Sequence, residues 1–181
     1  GTMTRPATSP EGAMLWPRWQ PDGGHLAFSW SRRDETDIHV VDADGSGAPV
    51  EVTHTKTMKS PSGWAPDGRS LLFAENGDVL LLTRDASGWA SRPLLATPAS
   101  EESASVSPDG RWVAYASDET GRAEVYLQLF PRLGAKVQVS TEGGYSPVWS
   151  HDGRELCYAR ERPGAYTGDL WAVAVGAGEP P

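Results

Sequence analysis

A turn-forming tetrad returns four times along the chain at nearly constant intervals. It reads Gln20-Pro21-Asp22-Gly23 and recurs at residues 65–68, 107–110 and 150–153, so that its aspartates stand 45, 42 and 43 positions apart. Proline presets φ at the second position of a tight turn, aspartate suits the third, and glycine accepts the positive φ that follows. Such a tetrad joins two antiparallel strands through a short hairpin. The chain is therefore predicted to consist of four copies of one unit.

The apolar positions around each tetrad repeat as well. Three positions before the aspartate stand Trp19, Trp64, Val106 and Trp149, four positions after it Leu26, Leu71, Val113 and Leu156, and six after it Phe28, Phe73, Tyr115 and Tyr158. The last two sets have the same parity, so they share one face of the strand that follows the turn. We interpret these positions as a core between neighbouring units.

Each unit continues with further strand-like segments. The predicted third strands are residues 37–41, 78–82, 124–128 and 169–173, and the predicted fourth strands are 50–53, 93–96 and 137–140. Four antiparallel strands recurring every 40–45 residues are typical of a β-propeller blade, whose faces pack on neighbouring blades around an axis. We predict an all-β fold in which residues 1–181 form a single propeller domain. Its four-stranded blades are expected at about 10–53, 54–97, 98–140 and 141–176, with residues 5–9 as a closing strand.

The repeated pattern W-[SAQ]-P-D-G-[GR]-x-[LV]-x-[FY] resembles the TolB-like propeller repeat. It departs from that repeat at Val106, His151 and Gly24. The segment from Glu124 to Tyr158 is most similar to the propellers associated with bacterial Ser/Thr kinases. The resemblance implies a β-propeller scaffold and suggests a periplasmic location; proteins that share the scaffold differ in function.

Composition and motifs argue against several kinds of chemistry. The chain carries 24 acidic and 16 basic residues, a net charge of −8, without a Lys/Arg run, which speaks against nucleic-acid binding. No apolar run approaches the length of a membrane span. The single cysteine and the isolated histidines give no metal-ligand spacing, and neither a nucleophile elbow nor a phosphate loop is present. We expect no cofactor, no metal and no catalytic residue. The loop 42–47 superficially resembles a calcium loop, but it lacks the ligand pattern of one.

A partner is expected on the loop face, where the second-to-third-strand loops and the inter-blade loops meet. An aromatic side chain next to arginine is the composition favoured at protein interfaces. The candidate binding residues are Trp16, Trp30, Arg32, Arg33, Tyr145, Arg160, Arg162 and Tyr166.

Two classes of function remain open. The first is a non-catalytic scaffold or binding module for a protein or peptide. The second is an enzyme, or the accessory domain of a hydrolase or lyase, that uses the central channel. The second requires dissimilar ionisable groups that converge once, whereas the repeated aspartates are explained by their turns. We therefore favour the binding module.

Ring closure is open too, because the last unit supplies three strands. Arg5-Pro6-Ala7-Thr8 resembles residues 92–97, a fourth-strand segment. The chain is a closed four-bladed ring, half of an eight-bladed ring made by two chains, or a piece of a longer propeller. We expect a symmetric homodimer in which each N-terminal strand completes the last blade of the other chain.

Overall fold

The computed structural model describes residues 5–8, 11–32, 35–161 and 168–176, and its strands form four antiparallel sheets. Blade 1 contains β1 (Ala13–Trp19), β2 (His25–Arg32), β3 (Glu35–Asp42) and β4 (Val50–Glu51). Blade 2 contains β5 (Lys59–Trp64), β6 (Ser70–Glu75), β7 (Asp78–Asp85) and β8 (Gly88–Leu95). Blade 3 contains β9 (Glu101–Val106), β10 (Trp112–Ser117), β11 (Glu124–Leu129) and β12 (Val137–Gln138). The described strands of blade 4 are β13 (Tyr145–Trp149), β14 (Glu155–Glu161) and β15 (Gly168–Ala174).

Consecutive strands are neighbours within each blade, and the first strand of every blade lines a common central channel. The predicted all-β fold is confirmed: the architecture is a four-bladed β-propeller, and none of the described residues is helical. No described segment could therefore cross a membrane as a helix.

The four tetrads form the predicted turns. In the first, the Gly23 amide donates to the Gln20 carbonyl at 2.9 Å, and the Gly24 amide donates to Asp22 Oδ1 at 2.7 Å. The other three repeat both bonds, and all four tetrad glycines have φ between 64° and 73°. At the last turn, hydrogen bonds from the Ser150 hydroxyl and the Arg154 amide lower the pKa of the Asp152 carboxyl. The recurring aspartates are thus turn residues.

Three apolar clusters hold neighbouring blades together. Ile38 and Val40 of blade 1 pack with Phe73 of blade 2, and similar clusters join blades 2 and 3 and blades 3 and 4. Among the described residues no such cluster joins blade 4 to blade 1. We call the two faces that lack this packing the seam faces. Trp19 was predicted to be core but is 60% exposed, because it lies on the seam face of blade 1, which no described blade covers.

Residues 5–8 are not in a strand of this structure. The backbone of Arg5 and Pro6 lies against Gly45 in the turn between β3 and β4, 3.5 Å from the place where a Cβ on that glycine would stand. The predicted closing strand thus rests on the chain's own first blade; Ser9 lies outside the described residues.

Candidate functional site

The most distinctive polar cluster of the described chain lies at the loop end of blade 1. Trp30 and Arg32 are two positions apart near the end of β2, so their side chains share a face of the sheet. The Arg32 guanidinium stands 4.1 Å from the centre of the Trp30 ring, a cation–π contact. The Trp30 indole N–H donates to the Glu11 carbonyl at 3.0 Å, which fixes the orientation of the ring.

His39 on β3 completes this cluster. Its ring centre lies 5.0 Å from that of Trp30 and 5.9 Å from that of Phe28. Nδ1 is 3.2 Å from the Asp37 carbonyl oxygen and Nε2 is 3.3 Å from Arg32 Nη2. Because arginine only donates, Nε2 is the acceptor and Nδ1 carries the proton. Burial lowers the pKa of His39 and outweighs the hydrogen bond to the Asp37 carbonyl and the nearby Glu51 carboxylate, both of which act to raise it.

A cavity of about 600 Å³ opens beside these side chains. Carboxylates of Glu11, Glu35, Asp37 and Glu51 line it together with Trp30, Arg32 and His39. Glu51 Oε2 lies 3.7 Å from Arg32 Nη2, and its Oε1 lies 2.9 Å from Nδ1 of an exposed histidine, His54. The cavity thus combines a flat aromatic–guanidinium surface with acceptor groups at its rim.

A buried ion pair anchors this end of blade 1 to blade 2. Lys59 is 1% exposed, and its Nζ lies 3.0 Å from Asp37 Oδ1 and 3.7 Å from Glu75 Oε1. The ammonium also donates to the backbone carbonyls of Thr55 and Thr57, each at 2.9 Å. Its donors are therefore used inside the fold, and Lys59 supports the cavity wall without facing a ligand.

The central channel is the second cavity of interest, with a volume of about 540 Å³. Its wall carries a bulge in each inner strand, where the pairing register shifts. Three of these bulges place a non-glycine residue at positive φ: Trp16 at 51°, Ser103 at 56° and Ser146 at 52°. Among the described lining residues, the charged side chains are Arg18 and Glu102.

The predicted binding residues fall into separate groups. Trp30 and Arg32 meet on blade 1. Tyr145 and Arg160 lie on blade 4, where Arg160 Nη2 is 2.5 Å from Glu142 Oε2 and its guanidinium carbon is 5.2 Å from the Trp171 ring centre. Trp16 lies in β1 and lines the channel instead of an inter-blade loop. Arg33, Arg162 and Tyr166 lie outside the described residues.

Sequence reasoning missed His39, Glu51 and the role of Lys59. One signal was available for His39: the aligned positions in the other blades hold Leu80, Tyr126 and Trp171. A histidine among apolar equivalents marks a blade that differs from its copies. Within the described parts of the chain, no three His, Cys, Asp or Glu side chains are grouped so that they could hold a metal ion.

The fold is that of the TolB-like β-propeller proteins, which confirms the resemblance seen in the repeats. The solved structure of a TolB-type protein from Agrobacterium tumefaciens superposes with a TM-score of 0.74 at 18% identity, over 86% of this chain and 59% of that one. TolB from Acinetobacter baumannii gives a TM-score of 0.72 at 22% identity, over 90% of this chain and 41% of that one.

Sequence comparison points the same way. An uncharacterised protein of Agrobacterium fabrum is 27% identical over 162 residues, which are 82% of this chain and 55% of that protein. A 45-residue stretch is 51% identical to the Tol-Pal system protein TolB of Syntrophus aciditrophicus. The chain thus spans little more than half the length of the Agrobacterium relative. No protein-family model matches the sequence. The likeness to kinase-associated propellers and the periplasmic location stay predictions.

Enzymes share the fold as well. A puromycin-hydrolysing peptidase of Mycobacterium tuberculosis superposes with a TM-score of 0.67 at 19% identity, over 93% of this chain and 28% of that one. An oligogalacturonate lyase in complex with manganese gives a TM-score of 0.64 at 16% identity, over 90% of this chain and 48% of that one. At such identities the likeness concerns the fold alone.

Proposed function

We propose that this chain is a non-catalytic propeller module that binds a protein or peptide at the loop end of blade 1. The observation that carries the proposal is the Trp30–Arg32 stack beside an open cavity of about 600 Å³. Tryptophan and arginine are enriched among the residues that dominate binding energy at protein interfaces. The hydrogen bond from Trp30 and the contact with His39 hold the stack in place, so little side-chain freedom is lost when a partner binds.

The charged groups at this site favour binding over catalysis. His39, the natural proton carrier of the cluster, is 2% exposed and hydrogen-bonded at both ring nitrogens. A general base has to reach the proton that it abstracts, and a ring closed off in this way does not. In the described lining of the channel, Arg18 and Glu102 are the charged residues, and the Arg18 Nε–H already donates to the Ser62 carbonyl at 2.8 Å. The likeness to TolB supports a protein-binding propeller in the same sense.

The proposal is tested by selecting peptides from a random displayed library on the immobilised chain and measuring their affinity for variants. Arg32→Ala is expected to weaken binding of the selected peptides by about tenfold or more, as is usual for a central interface residue. The matched control is Arg84→Ala. Arg84 stands 5.6 Å from the Trp89 ring centre, an equivalent cation–π pair at the opposite, turn end of blade 2. Equal affinities of the two variants, or selection of no peptide above background, contradict the proposed site.

A further inference from the structure

The seam face of blade 4 repeats the chemistry of the three internal blade interfaces. Ile38, Val79 and Val125 occupy one repeat position on β3, β7 and β11, and each is fully buried against the following blade. Leu170 occupies the same position on β15 and is 85% exposed. The next two positions on this face hold Ala172 and Ala174, which are also exposed. Cys157 lies on the same face of blade 4 and is partly exposed. The fourth blade therefore presents an apolar face shaped to receive another blade.

An indole hydrogen bond marks the other side of such an interface. The Trp64 indole N–H donates to the carbonyl of Arg18 in the preceding blade at 3.1 Å. Trp149 donates in the same way to the carbonyl of Ser105, also at 3.1 Å. Both acceptors stand immediately before the aligned position of their own blade. By this rule Trp19 would donate to the carbonyl of Val148, and both residues are 60% exposed.

The outer edge of blade 4 supplies a third match. In blades 1 to 3 the third strand pairs with a fourth strand, through Val40 with Val50, Leu81 with Arg92 and Leu127 with Val137. These fourth-strand residues stand 14, 14 and 12 positions before the aligned residues Trp64, Val106 and Trp149 of the next blade.

The same spacing before Trp19 gives Arg5 or Ala7. Arg5-Pro6 matches Arg92-Pro93 of β8 in sequence as well. Among the described strands β15 pairs with β14 alone, so its outer edge is open to such a segment.

We propose that a second copy of this chain covers the seam faces and that the two copies form one eight-bladed ring. In this ring Trp19 donates to the Val148 carbonyl of the second copy. Arg5 or Ala7 pairs with Ala172 of the second copy, so that residues 5–8 exchange the turn at Gly45 for the edge of β15. A single chain carries both complementary faces, and head-to-tail pairing closes after two copies because eight blades lie within the range that propellers adopt.

Light scattering coupled to size exclusion tests the proposal with the 181-residue chain at micromolar concentration. We expect twice the chain mass of 19.4 kDa. Leu170→Asp should give the single-chain mass. Loss of one buried leucine changes an equilibrium constant by about 30-fold. Each ring has two seams and loses one buried leucine at each, so the dimer dissociation constant should rise roughly 1000-fold. The control Leu133→Asp changes a leucine that is 36% exposed in the loop between β11 and β12, and it should remain dimeric.

Two further variants keep the test decisive if Leu170→Asp fails to fold, which circular dichroism will show. Trp19→Phe keeps an aromatic side chain but removes the indole N–H, so it should raise the dimer dissociation constant severalfold. Trp64→Phe removes the same bond inside the chain and should leave that constant unchanged while lowering stability. The proposal is overturned if the unmodified protein has the mass of a single chain or a mass that keeps rising with concentration. It is also overturned if neither Leu170→Asp nor Trp19→Phe changes the dimer dissociation constant.

Discussion

Among the buried charged residues that the structure describes, Lys59 is the one that carries a positive charge. Its ammonium is buried and compensates Asp37, a carboxylate whose side chain is 11% exposed. Removing one partner of a buried pair leaves an uncompensated charge, which usually costs more than the pair contributes. The aligned residue of blade 1 is Met14, so the fold accepts methionine at this repeat position.

Lys59→Met is therefore expected to lower the free energy of unfolding by about 3–5 kcal/mol. Lys56→Met, at an exposed lysine three positions earlier, should stay within about 0.5 kcal/mol. Urea unfolding followed by circular dichroism measures both. Similar midpoints for the two variants would show that Asp37 is solvated without its partner.

His39 links stability to pH. Burial lowers its pKa in the folded chain, whereas in the unfolded chain it titrates near 6.5. The unfolded state therefore binds the proton more readily, and the stability that His39 contributes is lost as the pH falls below about 6.5. Arg32, Glu51 and Asp37 face the ring, and Glu51 opposes the shift without reversing it.

His39→Leu, which installs the residue found at the aligned position Leu80, should remove this dependence. Between pH 7.5 and 5.5 the unmodified chain is expected to lose more unfolding free energy than the variant. Chemical unfolding at several pH values gives the difference between the two curves. A constant difference over that range would mean that His39 has the same pKa in both states.

The predictability of single residues depended on how local their partners are. The role of Asp22 and its three equivalents followed from sequence, because the groups that bind these carboxylates lie two or three positions away. Lys59 was not recognisable, because its carboxylate partner Asp37 lies 22 positions earlier and in another blade. The burial of His39 was not recognisable, because side chains of β2 and Glu51, which lie 7 to 12 positions away, enclose the ring only once the blade has formed. A charged residue before a strand reads as a loop residue unless that long-range packing is known.

Among the elements, the inner strands are the most irregular. Their bulges set Ser103 at φ 56°, a conformation that side chains branched at Cβ strongly disfavour. Ser103→Val is expected to be less stable than Ser103→Gly by about 1–3 kcal/mol, since glycine adopts positive φ without strain. Thermal unfolding of the two variants measures the difference. Equal stabilities would indicate that β9 can flatten its bulge.

Strand prediction succeeded where alternation is regular and failed where it is interrupted. Each predicted third strand is present, for example β3 over Glu35–Asp42 around the predicted 37–41. The inner strands carry prolines such as Pro17 and Pro147 beside their bulges, which breaks the alternation. For this reason Trp16 was predicted to lie on the loop face, although it lies inside β1 and lines the channel.

At the scale of the whole molecule, stability should be graded along the chain. Blades 2 and 3 pack on both faces, whereas blades 1 and 4 each keep a seam face. Repeat proteins distribute stability through nearest-neighbour interfaces, so units at the ends open more easily. In Leu170→Asp, hydrogen exchange is expected to be slowest in β6, β7, β10 and β11 and faster in β14 and β15. Uniform protection across the four blades would argue for a single cooperative unit.

The number of blades could be counted from the sequence, but their closure could not. Each internal interface is encoded twice, by the apolar positions of two adjacent repeats. At the seam no adjacent repeat supplies the facing residues. Whether the face with Trp19 packs against a face like that of Leu170 therefore depends on what occupies the space between blades 4 and 1. Sequence periodicity describes neighbours along the chain and contains no information about the angle through which the blades turn.

The hydrogen bonds from the Trp64 and Trp149 indole N–H groups have a consequence for how such chains evolve. Because each new blade docks on its predecessor through the same apolar face, a gene that duplicates one unit of 42 to 45 residues gains an insertable blade without altering any interface already present. Deletion of a unit works in reverse, joining two faces that already fit. A lineage of such chains can thus change its blade count in whole steps, and selection then acts chiefly on the two ends.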